Sequence, residues 1–311
     1  MRNTNLHNAK TAKNDEFYTQ LTDVAKELMH YKAHFKDKVV LCNCDDPTWS
    51  AFWKYFHLNF AELGLKKLIS THYDREEATY KMEYIGGDDN NIEVGVKTSL
   101  EGNGDFRNKE CLDLLDECDI VVTNPPFSLF RDYVAVLMEH KKKFLIIGNK
   151  NTITNKEFFP LLKDDEVWIG CTNVKEFLQP DGNIKKFGNI GWFTNLDVAK
   201  RHEKLILWKH YTPGEYPKYD NYDAINVDKV SEIPVDYNGV MGVPITYLDK
   251  HNPEQFDIIW QASGNTRVCC PSNILQNVVY YKQHPEDRGG CGVINGKRVY
   301  CRIFIRKKVG V

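Results

Sequence analysis

No G-x-G-x-x-G pattern occurs anywhere in the chain. Enzymes that hold a dinucleotide by its pyrophosphate need those glycines so that backbone amides can approach the phosphates. Their absence argues against a nicotinamide-dependent oxidoreductase. No apolar run approaches the roughly 20 residues that span a bilayer. Met1 to Lys13 is polar and lacks the apolar centre of a secretory signal. A membrane is therefore not an expected partner, and the expected location is the cytoplasm. The nine cysteines include no Cys-x-x-Cys pair: Cys42 and Cys44 flank one residue, and Cys269-Cys270 are adjacent. They read as reduced thiols, with zinc binding the weaker alternative, and no metal site is expected. An excess of positive charge is missing too. The net charge is −2, so composition does not announce a nucleic-acid binder. Any grip on nucleic acid would need its Lys and Arg gathered on one face. The candidates are Lys141-Lys142-Lys143, Lys185-Lys186 and the tail with Arg298, Arg302, Arg306, Lys307 and Lys308, although short basic runs are also ordinary solvated surface.

What is present is enough for a core. The 311 residues, 42% hydrophobic, suit one large or two modest domains. The most informative stretch is Cys118-Asp119-Ile120-Val121-Val122-Thr123-Asn124-Pro125-Pro126-Phe127. Ile120 to Val122 read as a strand buried on both faces, as in a parallel sheet. Neither Pro125 nor Pro126 can continue a ladder, so the chain must leave the sheet there. Asn124 and Phe127 then stand at the carboxyl end of a strand, where open α/β sheets bind their ligands. The Asn124 side-chain oxygen and a carbonyl of the proline pair can both accept from one –NH2 group. Two acceptors draw the nitrogen lone pair out of conjugation and aim it at an electrophile, while Phe127 offers a face to a planar ring. A plain proline turn would also end a strand this way. Asn-Pro-Pro-aromatic resembles the catalytic motif of amino methyltransferases that use S-adenosylmethionine, above all DNA adenine-N6 methyltransferases.

Strands and helices alternate along the first half. A helix is expected from Leu21 to about Phe35, a strand at Val39–Asn43, an aromatic helix from Trp49 to Leu63 and a strand at 67–74. A helix from about Lys109 to Leu115, one from Phe130 to His140 and a strand at 143–148 follow. That alternation predicts an α/β fold with a doubly wound, mostly parallel sheet; the resemblance to methyltransferases implies that it is Rossmann-like. The turn after the first strand, Cys44-Asp45-Asp46-Pro47, has no glycine, which suits a cofactor without phosphate. An acid there can face the cationic amino-acid end of S-adenosylmethionine: Asp45 first, then Asp46, with capping of the next helix as the alternative for Asp46. Asp74 ends the second strand, where a carboxylate can accept both ribose hydroxyls. Asp105 and Phe106 fit an acceptor for the cofactor's adenine amine beside a ring that covers its base; a helix-entry turn is the plainer reading.

From about Gly170 the character changes to glycine, asparagine and tyrosine with fading helical periodicity. Val240 to Thr246 and Phe256 to Trp260 look like strands. Asn295-Gly296 signals a hairpin between Val293-Ile294 and Val299 to Ile305. Alternation in the last strand puts Tyr300, Arg302, Phe304 and Arg306 on one face. The expected division is a cofactor-binding catalytic core over 1–170, or continuing to about 207, and a strand-rich target-recognition region over 171–311.

Together these segments resemble the EcoRI-type family of adenine-specific DNA methyltransferases. The resemblance rests on Asp15-Glu16-Phe17-Tyr18-Thr19, Leu41-Cys42-Asn43-Cys44-Asp45-Asp46-Pro47, Asn124-Pro125-Pro126-Phe127, Phe187 to Asn195, Tyr216 to Tyr222, Val240 to Thr246 and Arg302 to Arg306, spread over nearly the whole chain. It implies S-adenosylmethionine as donor, S-adenosylhomocysteine as product, and an adenine N6 flipped out of double-stranded DNA as acceptor. It implies catalysis by Asn124, Pro125, Pro126 and Phe127. It places Phe17, Tyr18 and Thr19 at the methionine end of the cofactor, with Asn43, Asp45, Asp46, Asp74, Asp105, Phe106 and Asn124 as further cofactor contacts. Monomeric action without a stable protein partner is expected, with a cognate restriction endonuclease as a functional companion and DNA as the route to the nucleoid. Methylation of an RNA adenine or a protein glutamine amide would use the same amine clamp, and a catalytically silent DNA-binding relative is the remaining alternative.

Overall fold

The computed structural model describes residues 18–74, 78–178, 183–270, 275, 279–308 and 310. The chain divides into two compact units, Met1–Lys150 with Ile169–Asp197 and Asn151–Trp168 with Val198–Val311.

In the first unit, β1 (Tyr18–Thr19) and α1 (Leu21–Leu28) precede β2 (Val39–Cys42), α2 (Ala51–Leu58), α3 (Phe60–Leu63) and β3 (Lys67–His72). The hairpin strands β4 (Tyr80–Tyr84) and β5 (Val96–Ser99) lead to α4 (Lys109–Glu117), β6 (Ile120–Thr123), α5 (Phe130–Glu139) and β7 (Lys143–Asn149). The long strands β8 (Trp168–Leu178) and β9 (Ile184–Thr194) complete a sheet ordered β1-β8-β9-β7-β6-β2-β3-β4-β5. The central strands β7, β6, β2 and β3 run parallel. As expected of parallel strands covered on both faces, Val39–Cys42 and Ile120–Thr123 are buried at every position. Antiparallel strands flank them, β4 on one side and β9 on the other. This is the mixed α/β sheet read from the alternation of elements, parallel through its central strands.

The chain leaves β2 for β3 on one side and later returns to β6 on the other. The strand order therefore reverses between β2 and β6. Loops diverge there and leave a crevice beyond the carboxyl ends of the two strands. Asn43 to Asp46 follow one strand, and Asn124 to Phe127 follow the other.

Two helices are shorter than their periodicity suggests. The helix expected to reach about Phe35 ends at Leu28, and the chain tightens into three-residue turns, His30 N–H to the Glu27 carbonyl and Tyr31 N–H to that of Leu28, before a 3-10 turn at Lys32–His34. The tighter turns still deliver Tyr31 and Phe35 to the core, where both are fully buried. The helix expected from Trp49 to Leu63 breaks at Asn59, whose side-chain amide donates to the Tyr55 carbonyl at 2.7 Å. A side chain that bonds the preceding turn competes with the helical ladder. Ser50 caps α2, accepting from the amides of Phe52 (3.1 Å) and Trp53 (3.3 Å). Asp46 is therefore not that cap. Its carboxylate instead closes a local turn onto the Thr48 amide at 2.8 Å.

The second unit holds α6 (Phe159–Lys163), β10 (Ile225–Asn226), β11 (Met241–Pro244), β12 (Phe256–Ala262), α7 (Thr266–Cys269), β13 (Val293–Ile294), β14 (Lys297–Arg298) and β15 (Arg302–Lys307). Its sheet is ordered β10-β11-β15-β12. Gly242 in β11 lets Tyr219 approach closely, since a Cβ there would lie 2.3 Å from the Tyr219 hydroxyl. The Asn295-Gly296 turn forms, with both residues at positive φ. Its strand partner is Lys297–Arg298 rather than Val299 to Ile305, because a two-residue turn seats residue 297 directly opposite 294. β15 pairs instead with β11 and β12. The expected basic and aromatic face of that strand is interrupted. Phe304 is fully buried with its ring centroid 4.8 Å from Tyr222, and the Arg302 guanidinium donates to the Asn226 side chain at 3.1 Å.

Candidate active site

Asn124 is half-buried, Pro125 buried, and Pro126 and Phe127 half-buried at the carboxyl end of β6. The chain turns at once into a 3-10 segment, Phe127–Leu129, in which the Leu129 amide donates to the Pro126 carbonyl at 2.9 Å. That bond engages the Pro126 carbonyl, which makes the Pro125 carbonyl the candidate to act with the Asn124 side chain. Phe127 meets the rings of Phe177 and Phe187 edge to face, with centroids 6.1 and 6.4 Å apart. Such contacts favour the ring quadrupoles and fix the ring's orientation. Thr19 in β1 is in register with Phe177, so that short strand lies beside the same aromatic group. The Thr19 hydroxyl is buried and, among the described residues, has no hydrogen-bond partner. Phe17 lies outside the described residues.

Across the crevice, Asp45 is only 4% exposed. One carboxylate oxygen accepts from the Ser50 hydroxyl at 3.2 Å; the other accepts from the Asn124 backbone N–H at 3.3 Å and, in a closer contact, from the Thr123 hydroxyl. Burial pushes its pKa up from 3.8 to about 7, even though these bonds pull the other way. The expected partner for Asp45 was a ligand cation, yet both of its oxygens are engaged within the protein. Asp46 is engaged as well, accepting from the Tyr80 hydroxyl at 2.9 Å and lying 2.8 Å from the His72 imidazole. Asn43 is buried, and its side-chain oxygen accepts from the Tyr133 hydroxyl of α5.

The other predicted contacts gather on the opposite side of β2. The Asp74 amide donates to the Asn103 carbonyl at 3.2 Å, tying the end of β3 to the 102–106 loop. Gly104 makes this approach possible. Its φ is +73°, and a Cβ would lie 2.4 Å from the His72 carbonyl oxygen. Asp105 forms a two-pronged pair with Arg107, at 2.9 and 2.6 Å. Phe106 is buried edge to face against Tyr133 at 4.9 Å. Phe106, Tyr133 and Asn43 thus form a continuous buried path from that loop to the end of β2.

Two basic runs offered for nucleic acid are largely committed elsewhere. The Lys142 ammonium donates to the carbonyls of Asp116 and Cys118, both at 2.9 Å, at the carboxyl end of α4, and Lys143 donates to the Asn195 carbonyl at 3.1 Å. Near the C-terminus, Lys307 donates to the Val235 carbonyl at 2.7 Å and Lys308 pairs with Asp257 at 3.1 Å. Lys186 pairs with Glu176 at 3.0 Å but stays largely exposed. Among the described residues, no cluster of His, Cys, Asp or Glu could hold a metal ion, and no helix is long and apolar enough to cross a membrane.

Ser50, Thr123, Tyr133 and Phe177 were not anticipated. Ser50 carried a readable signal, a hydroxyl residue just before an apolar helical run. Thr123, Tyr133 and Phe177 acquire their positions only when β6, α5 and β8 are brought to β2 and β1.

A sequence profile of the family described as "Adenine-specific methyltransferase EcoRI" matches residues 5–308. The chain belongs to that family. It is 49% identical to the type II methyltransferase M.EcoRI of Escherichia coli over 286 residues, 82% of this chain and 88% of that protein. It is 38% identical to the type II methyltransferase M.MpnI of Mycoplasma pneumoniae over 98% of this chain and 99% of that one. The type II methyltransferase M.MgeORF184P of Mycoplasma genitalium is 35% identical over 97% of this chain and 98% of its own. No solved structure matches. As an EcoRI-type family member the chain is an adenine-specific DNA methyltransferase, an enzyme that uses a methyl donor. The RNA, protein-amide and silent-relative alternatives are not favoured.

Proposed function

We propose that this enzyme transfers the methyl group of S-adenosylmethionine to N6 of an adenine everted from duplex DNA. The observation that carries the proposal is the place of Asn124 and Pro125 directly after β6, at the strand-order reversal, in a chain with no phosphate-binding glycines. The residues present suit a donor without phosphate. The Thr19 hydroxyl lacks a partner among the described residues, and the Asp74 end of β3 is drawn against the Asp105-Phe106 loop. We assign Tyr18 and Thr19 to the methionine end, with Phe17 beside them in sequence. We assign Asp74 to the ribose and Asp105 with Phe106 to the adenine, and keep Asn43 and Asp46 as further contacts, with Asp45 bonded to the proline elbow. When bound, the donor supplies a methyl carbon activated by a sulfonium.

The work of the protein is to deliver the amine to that carbon. Everting a base costs a few kcal/mol. Stacking on Phe127, about 1–3 kcal/mol per base by analogy with single-strand binders, offsets part of this cost, and the Phe177 and Phe187 contacts hold the ring ready. The Asn124 oxygen and the Pro125 carbonyl accept from the two amine hydrogens, pull the lone pair out of the ring's conjugation and aim it along the line of transfer. The prolines stiffen the carbonyl, so little order is lost when the base arrives. A bound donor would give its methyl carbon to the amine nitrogen and keep the electron pair of the S–C bond it loses. The nitrogen, by then cationic, gives its proton to water, so no side-chain base is needed.

The test offers S-adenosylmethionine labelled in its methyl group together with duplex DNA, RNA and protein in parallel reactions. Label in duplex DNA, recovered after digestion as N6-methyladenine, is the expected result. Label appearing only in RNA or protein would overturn the reading.

A further inference from the structure

One buried polar contact of the site joins two loops that the sequence keeps far apart. Asp45 follows β2 and Asn124 follows β6, and a single buried carboxylate bridges them. One oxygen accepts from the Asn124 backbone N–H and the Thr123 hydroxyl, and the other accepts from Ser50 at the head of α2. The backbone at Asn124 is the hinge from which its side chain and the Pro125 carbonyl project. A shift of this peptide would move both amine acceptors together. Asp45 reaches across to the proline elbow, and the Cys44 thiol beside it also meets the Thr123 side chain.

We infer that Asp45 is a positioning residue for methyl transfer: its ionised carboxylate clamps the Thr123–Asn124 peptide and so sets where Asn124 and Pro125 hold the adenine amine. The inference deepens the proposed function and rests on it. The chemistry follows from what a carboxyl group can do in each protonation state. Ionised, it only accepts, matching the hydroxyl of Thr123, the N–H of Asn124 and the hydroxyl of Ser50. Protonated, the group loses acceptor capacity: the Asn124 N–H cannot accept the new proton and the Ser50 oxygen already accepts from the Phe52 and Trp53 amides, so either a bond is lost or the Thr123 hydroxyl must reverse its role, and the clamp loosens. Burial holds the Asp45 pKa at about 7, so the switch between these states falls near neutrality.

The titratable groups facing it are few in kind. Asp46 stands next to it and raises its pKa further. The Cys42 and Cys44 thiols flank it on its own strand and turn, and the Tyr133 phenol approaches from α5; burial raises the pKa of all three well above the ordinary values and keeps them neutral where Asp45 titrates. The Asp46 carboxylate is itself paired with the His72 imidazole at 2.8 Å, so a one-proton transition near pH 7 is assigned to Asp45 by its loss in Asp45→Asn and its displacement in Thr123→Val.

The experiment measures the single-turnover rate of methyl transfer to a duplex between pH 5.5 and 8.5, alongside S-adenosylmethionine affinity by calorimetry. For the wild-type enzyme, the rate falls about tenfold per pH unit below an inflection near 7, as one essential proton requires, while donor affinity changes little. Asp45→Asn keeps the shape but not the charge. It lowers the rate on the order of 10²-fold, the scale of a displacement of about 1 Å at a reacting centre, and abolishes the inflection. Thr123→Val removes a bond that holds the Asp45 pKa down and moves the inflection to higher pH. A side chain that merely supported the fold would lower stability without moving any inflection. Asp45→Asn with the wild-type rate, or with an unmoved inflection, overturns the inference. Where that variant does not fold, an unmoved inflection in Thr123→Val overturns it. Absence of any transfer to adenine by the wild-type enzyme would instead sink the proposed function, so the two failures are distinguishable.

Discussion

At the scale of single residues, Asp45 departs furthest from what its neighbourhood in the sequence suggests. An acid after the first core strand is a natural counter-ion for a cationic ligand, and the residue type and place were legible. Its commitment to Thr123 and Asn124 was not, because those donors come from a strand some eighty positions later. The raised pKa has a consequence for stability that can be measured. The unfolded chain releases this proton near 3.8 and the folded chain only near 7. Between those values the unfolded state binds fewer protons, so this group's contribution to stability is lost as pH rises through the window and is flat above it. The difference in unfolding free energy between the wild type and Asp45→Asn, taken from urea titrations, is therefore expected to decline from pH 4 to 7 and then level off. A difference that grows with pH over that range would contradict the burial of the carboxylate. The proline elbow, by contrast, was readable residue by residue, because proline's missing N–H and fixed φ act locally whatever surrounds them.

At the scale of elements, strands were easier to place than helix ends. β2, β6 and β7 are short apolar runs whose burial on both faces follows from composition alone. Helix ends were set by side chains that bond the backbone, Asn59 to Tyr55 and Ser50 to the first turn of α2, and those bonds compete too evenly with the helix to be ranked from sequence. The hairpin at 295–296 was signalled by its turn residues, but the strand it pairs was misplaced by several residues because the pattern after it continued smoothly into β15. The loop carrying Asp105 and Phe106 depends on Gly104. Gly104→Ala forces a Cβ against the His72 carbonyl at a backbone angle unsuited to alanine. We expect it to cost about 1–3 kcal/mol of stability and to weaken S-adenosylmethionine binding at least about tenfold, read by thermal melts and calorimetry. Unchanged donor affinity in a folded variant would remove this loop from the cofactor site.

At the scale of the whole molecule, the chain is interleaved: residues 151–168 belong to the second unit, and 169–197 return to the first to supply β8 and β9. Composition shifts near Gly170, yet the aromatic segment Phe187 to Asn195 joins the sheet of the catalytic motif, an arrangement visible only once β9 is paired with β7. The charge balance has a functional consequence. The net charge is −2, and Lys142, Lys143, Arg302, Lys307 and Lys308 are occupied inside the protein. With much of these two runs engaged, log affinity against log salt is expected to have a slope shallower than about −5, corresponding to fewer than about six phosphate contacts. Fluorescence anisotropy with a labelled duplex between 50 and 200 mM salt, as approximate limits, measures this, and a steeper slope would mean a larger basic footprint.

The elbow after β6 is the part on which the rest depends, and Asn124→Ala tests it most directly. The variant keeps the prolines, the Phe127 ring and the backbone bond to Asp45, and removes only the side-chain acceptor for the amine. S-adenosylmethionine affinity by calorimetry and single-turnover transfer to duplex DNA are measured on the same preparation. The account predicts donor affinity within about threefold of wild type and a transfer rate reduced by 10³-fold or more, of the order seen when a preorganised polar group at a reacting centre is removed. Transfer at a near wild-type rate would show that the adenine amine is held by something other than this amide.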